Sequence, residues 1–140
     1  MQRVLDGGYE LDDDPARIDL AAVTAFLTES YWAPGRSEVE QQELNDTSPR
    51  VVGLYLGAEQ VGFARVSFWA DRNIAFLNDV YVLEEHRGRG LGLELAREAV
   101  EGGPHAGALW LLRTDDMHSL YAKLGFAAPD ERLMERWPTA

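Results

Sequence analysis

Three alternating glycines, Gly88, Gly90 and Gly92, follow the apolar stretch Val80-Tyr81-Val82-Leu83 and open a helix-like segment, and the chemistry suited to such a turn is anion binding. Glycines let the backbone come close to a diphosphate. The first N–H groups of a helix, unpaired and at the positive end of its dipole, hold the charge. Arg87 and Arg89 can add ionic contacts. Two rival motifs fail: there is no Gly-Lys-Ser/Thr of a P-loop, and the spacing is not Gly-x-Gly-x-x-Gly. Taken alone, the run fits either a phosphate seat or a tight strand-to-helix connection without a ligand. Asp115 and His118 stand three apart like a metal-binding pair, but Thr114 or Asp115 is better explained as a helix N-cap, so no metal is expected. With no cysteine and no evident Ser-His-Asp set, a covalent enzyme intermediate has no obvious nucleophile.

The elements that must position these residues read as follows. Tyr9 to Leu11 has strand character and stops at the acidic loop Asp12-Asp13-Asp14 and Pro15. From the N-cap Asp19, Leu20, Val23, Phe26 and Leu27 recur at helical spacing, which predicts a helix ending near Tyr31. The loop Tyr31-Trp32-Ala33-Pro34-Gly35-Arg36 interrupts the pattern, and Ser37 with Glu40 has the form of a capping box for a second short helix. Strands are predicted over Arg50 to Leu56, Gln60 to Ala70 and Ile74 to Leu83, and their short polar connections imply an antiparallel meander. A helix over Gly90 to Glu101, a buried strand over Ala108 to Arg113, a helix over Asp116 to Leu124 and a last strand over Arg132 to Trp137 complete the chain.

Arg87-x-x-Gly90-x-Gly92 after Val80-Tyr81-Val82 resembles the coenzyme A motif of the GNAT superfamily of N-acetyltransferases. Leu120-Tyr121-Ala122-Lys123-Leu124-Gly125-Phe126 resembles the second hallmark of that family, a tyrosine late in a helix followed by Gly-Phe. The clear likeness spans Gln60 to Phe126. Tyr31 to Arg36, Val61 to Arg65 and Asp79-Val80-Tyr81-Val82 bring it closer to one bacterial branch. The resemblance implies an α/β (α+β) GNAT fold, a single domain over 1–140. Its mixed, mostly antiparallel sheet of six to seven strands is flanked by about four helices, with the fourth and fifth strands splayed apart.

The same resemblance implies an acetyl-coenzyme A-dependent N-acetyltransferase. Val80, Tyr81 and Val82 would offer backbone groups to the pantetheine arm. Gly88, Arg89, Gly90, Leu91, Gly92 and Leu93 would seat the diphosphate on their amides, with Arg87 and Arg89 nearest its charge. Tyr121 matches the tyrosine that donates a proton to the departing sulfur, with an ordinary core aromatic as the alternative. A base is less evident, because Phe76 stands where the family often has glutamate. Asp79 is the best single carboxylate by position, beside a structural role for it or proton removal through water. Strand alternation predicts that Asn78 and Asp79 face opposite sides. Thr114 stands where the family commonly has an asparagine that contacts coenzyme A. An amide at or beside Val82 can act as the oxyanion donor.

The acceptor is expected in a cleft lined by Tyr31, Trp32 and Arg36, faced by Arg65 and Trp69. The implied reaction is direct transfer, in a ternary complex, to a primary amine of a small-molecule or amino-acid-like acceptor. A coenzyme A-binding sensor or partner module without activity, or an enzyme for protein N-termini or lysines, are the alternatives. Twenty-four acidic against 13 basic residues, a formal charge of −11, argue against nucleic acid and mildly for a cationic partner. No apolar run is long enough to span a membrane, and the N-terminus lacks signal-peptide order, so a cytoplasmic protein is expected. A homodimer is expected from family habit alone.

Overall fold

The computed structural model describes residues 1–139 and is built on one six-stranded sheet. Strands β1 (Gln2–Val4), β2 (Tyr9–Asp12), β3 (Arg50–Leu56), β4 (Glu59–Trp69), β5 (Ile74–Val82) and β6 (Leu109–Leu111) lie side by side in chain order. Every neighbouring pair is antiparallel except β5 and β6, which run parallel. The turns explain the meander: β3 and β4 are joined by Gly57-Ala58, with Gly57 at φ +60°, and β4 and β5 by a turn in which Asn73 takes φ +50°.

Helices α1 (Leu20–Leu27) and α2 (Glu38–Thr47) start where their caps predict. The Asp19 carboxylate accepts from Ala22 N at 3.1 Å, and the Ser37 hydroxyl from Glu40 N at 3.1 Å. Val23 and Leu27 of α1 are fully buried with Phe63, Val51 and Tyr81 on one face of the sheet. On the opposite face, α3 (Leu91–Glu101) buries Leu91, Leu95, Ala96, Ala99 and Val100 against Leu54, Val61, Ala64, Val66 and Leu77. The short α4 (His118–Ala122) adds Tyr121 to the same face. Side chains of β4 and β5 therefore contribute to both faces, as their period of two requires.

Four expectations need correction. Gln2–Val4 forms an edge strand absent from the predicted elements, so the fourth and fifth strands of the predicted numbering, expected to splay, become β5 and β6. The segment Ala108 to Arg113 shortens to three paired residues, and Leu109 is 60% exposed, because β6 is an outer strand with one free edge. Arg132 to Trp137 is not a strand. Its exposed side chains reach back to Arg113, which pairs with Glu135 at 3.6 Å and stacks on Trp137 at 3.9 Å. The helix predicted over Asp116 to Leu124 is shorter, and its entry is held by Thr114 Oγ1 accepting from Met117 N at 3.0 Å.

Candidate functional site

The parallel pairing of β5 with β6 lasts only from Ile74↔Leu109 to Phe76↔Leu111. Beyond Phe76, residues 77–82 of β5 keep β4 on one side and have no strand on the other. Leu83 N donates to Val61 O at 2.8 Å, on the β4 side, so strand alternation turns the N–H and C=O of Val82 toward the free edge. The Val82 carbonyl is met there by Arg87 Nε at 2.9 Å. Its N–H is left facing the gap.

The free edge runs directly into the start of α3. Gly90 is the residue before the helix and adopts φ +76°, and Gly88 adopts φ +80°, in the left-handed region that L side chains rarely enter. A Cβ placed on either would meet nothing within 4 Å, so the entrance is open rather than filled by the protein's own side chains. No side chain caps this helix. The amides of Leu91, Gly92 and Leu93 consequently point out of its first turn without intrahelical partners. Exposed Arg89 stands beside them, and Arg87 is tethered at Nε to the end of β5. A further tie holds the approach to this loop, where His86 Nδ1 and the Tyr9 hydroxyl on β2 lie 2.7 Å apart.

Tyr121 sits on the α3 side of the gap, 9% exposed, with its ring edge-on to Phe126 at 5.9 Å. Its hydroxyl makes no hydrogen bond to another of the described residues. Burial first, then Tyr31 and Asp116, push its pKa up to about 12. The phenol is thus protonated throughout the neutral range and can give a proton but not take one.

Asp79 lies at the centre of the other face, and its geometry departs from simple alternation. It adopts φ +57°, and between Tyr81↔Phe63 and Asn78↔Arg65 the β5 strand carries one residue more than β4. The extra residue is a bulge. It brings Asn78 and Asp79 to the same polar network, correcting the expectation that they face opposite sides: Asn78 Nδ2 donates to Ser67 Oγ at 2.9 Å, and Arg65 donates both to Ser67 and to Asp79. Asp79 accepts from Trp32 Nε1 at 3.1 Å, Arg36 Nη1 at 2.8 Å and Arg65 Nε at 2.9 Å. Gln41 and Ser48 complete the set through Arg36 and Arg65. Both oxygens of the Asp79 carboxylate are engaged, which leaves it poorly placed to collect a proton from a substrate.

Tyr31, Trp32, Arg36 and Arg65 are therefore brought together, whereas Trp69 stands half exposed at the end of β4 without an aromatic contact to the loop. Tyr31 packs on Trp32 with ring centres 5.0 Å apart and accepts a hydrogen bond from Asp115 N at 3.1 Å. This links the loop between α1 and α2 to the entry of α4. Gln41 and Ser48 carry no sequence signal for this role, because nothing local marks a polar residue whose partner lies on another element. Among the described residues no group of three or more His, Asp or Glu side chains could hold a metal, and none of the helices is long and apolar enough to cross a membrane.

The acetyltransferase (GNAT) family model matches residues 13–126. A candidate acetyltransferase of Gibberella zeae is 32% identical over 141 residues, covering 85% of this chain and 79% of that protein. A crystal structure of a candidate acetyltransferase of the GNAT family from Xanthomonas campestris is 34% identical, with a TM-score of 0.82 and 93% of each chain covered. A candidate acetyltransferase from Deinococcus radiodurans, 18% identical, shares the fold with a TM-score of 0.72, covering 97% of this chain and 94% of that one.

Proposed function

Since the chain belongs to the acetyltransferase (GNAT) family and is an acyltransferase, we propose that it binds acetyl-coenzyme A in the gap beside β5 and acetylates a primary amine of a small acceptor in a ternary complex. The observation that carries this reading is the continuity of two unfilled features: the free edge of β5 over residues 77–82, and the open, uncapped start of α3. The residues present fit the donor. A diphosphate needs N–H groups that the backbone leaves unpaired and space where side chains would intrude, and Gly88 to Leu93 offer both.

Acetyl-coenzyme A supplies the acetyl group as a thioester. The chain's own residues do the rest. The amides of Gly88 to Leu93, with Arg87 and Arg89, bind the charged end, and the free edge at Val80, Tyr81 and Val82 orients the arm as an added strand. The Val82 N–H faces the gap and is the donor best placed to stabilise charge on a carbonyl oxygen. Tyr121 holds a proton at its phenolic oxygen for the departing sulfur, and its raised pKa keeps that proton on until it is needed. With both oxygens of Asp79 taken by donors, the amine loses its proton to water, and Asp79 acts by positioning Trp32, Arg36 and Arg65.

Thiol release from acetyl-coenzyme A, measured with purified protein across a broad panel of amines, tests this. Release that depends on an amine is expected. Firm binding of acetyl-coenzyme A with no release for any amine would indicate a binding module instead.

A further inference from the structure

The polar network around Asp79 carries an unbalanced charge. Arg36 Nη1 and Arg65 Nε share one oxygen of Asp79, and among the described residues neither arginine makes a second ion pair. Their other partners, Gln41, Ser48 and Ser67, are neutral. One carboxylate thus faces two guanidinium groups, whose side chains are only 18% and 9% exposed. A charge withdrawn from water and left without a counter-charge is costly. The chain has a formal charge of −11, so carboxylates are abundant, and a purely structural cluster had every opportunity to be neutral. Among the described residues, Arg36 also keeps Nε and Nη2, and Arg65 keeps Nη2, free of hydrogen bonds. Unused N–H groups of this kind suit a planar carboxylate.

The far end of the Tyr31 and Trp32 pair has the opposite polarity. Trp32 is tied to Asp79, its neighbour Tyr31 accepts from the backbone N–H of Asp115, and these two edge-to-face rings bridge from the arginine pair to the entry of α4, where Asp116 stands close to Tyr121. A ligand lying along Trp32 and Tyr31 meets an excess of positive charge at one end. At the other it meets the carboxylate of Asp116 and the phenol of Tyr121.

We infer that the acceptor is an amine that bears its own carboxylate, in the simplest case an amino acid, with the carboxylate on Arg36 and Arg65 and the amino group turned toward Tyr121. The single leftover positive charge matches a monoanionic carboxylate better than a dianionic phosphate. This inference rests on the acetyl-transfer reading and narrows its acceptor.

The test compares free amino acids, their C-terminal amides and aminoalkylphosphonates, by thiol release and by the rise in melting temperature each gives in the presence of coenzyme A. Acids are expected to exceed the matched amides at least tenfold in kcat/KM, and to raise the melting temperature where amides do not. Arg36→Gln should abolish that preference by raising KM more than it lowers kcat, with coenzyme A affinity retained. Arg36→Lys, which keeps the charge, should restore part of the preference. Amides that match the acids in turnover and binding overturn the inference while leaving acetyl transfer standing, and so does a failure of every acid to bind the coenzyme A complex. Phosphonates that outperform acids overturn the assignment of a carboxylate. Wild-type protein that binds no acetyl-coenzyme A removes the underlying reading itself.

Discussion

Replacing Tyr121 with phenylalanine separates the two roles a buried tyrosine can have. The hydroxyl makes no hydrogen bond to another of the described residues, while the ring fills its place against Phe126, 5.9 Å away and inclined at 70°. Tyr121→Phe keeps that packing and breaks no hydrogen bond among the described residues, so the change in unfolding free energy should stay within about 1 kcal/mol of zero. The effect on transfer is of a different size. A phenol whose pKa stands at about 12 is a stored proton, and removing a general acid typically costs about 10²-fold or more in kcat, roughly 2.7 kcal/mol of transition-state stabilisation. Thiol-release kinetics and a calorimetric titration with acetyl-coenzyme A, run on both proteins, provide the assay. A fall in kcat with unchanged affinity and unchanged Tm is expected. Equal turnover in the two proteins would remove Tyr121 from the mechanism and leave it a core aromatic.

Two further perturbations follow from the same geometry. Gly90→Glu must place a side chain at φ +76°, which costs roughly 1–2 kcal/mol, but its Cβ meets nothing, so the variant should fold and yet lose acetyl-coenzyme A affinity by calorimetry. Gly90→Ala carries the strain without the charge and should lose less; equal affinity in wild type and Gly90→Glu would refute the phosphate seat. Alkaline stability tests the buried phenols. Burial pushes Tyr55 and Tyr121 up to about 12 and Tyr81 higher still, whereas an unfolded tyrosine ionises near pH 10. Above about pH 10 the folded state therefore binds more protons than the unfolded one, and stability falls as pH rises, by on the order of 2–3 kcal/mol for each of Tyr55 and Tyr121 by pH 12. Urea midpoints that hold constant from pH 9 to 12 would contradict this.

The elements with strong local signals were legible in the sequence. Asp19 and Ser37 cap α1 and α2 as their positions imply, and the apolar spacing of Leu91, Leu95, Ala99 and Val100 marks the buried face of α3. Other features depended on partners that no local pattern encodes. Gln2–Val4 is too short to show alternation and becomes a strand only because β2 lies beside it. Arg132 to Trp137 lies beyond the sheet, with Arg113 holding Glu135 and Trp137. At Asp79 the parity rule failed because the backbone enters the left-handed region, which an aspartate tolerates better than most residues. The gathering of Arg36, Gln41, Ser48 and Arg65 around that one carboxylate is a product of the fold. So is the tether between Tyr9 and His86.

The most direct test of the proposed donor site is residue-resolved. Backbone amide shifts of 15N-labelled protein should be followed as coenzyme A is added. The largest changes are expected at Gly88, Gly90, Leu91, Gly92 and Leu93 and along Val80 to Val82. Saturable binding that leaves the start of α3 unchanged would contradict the account.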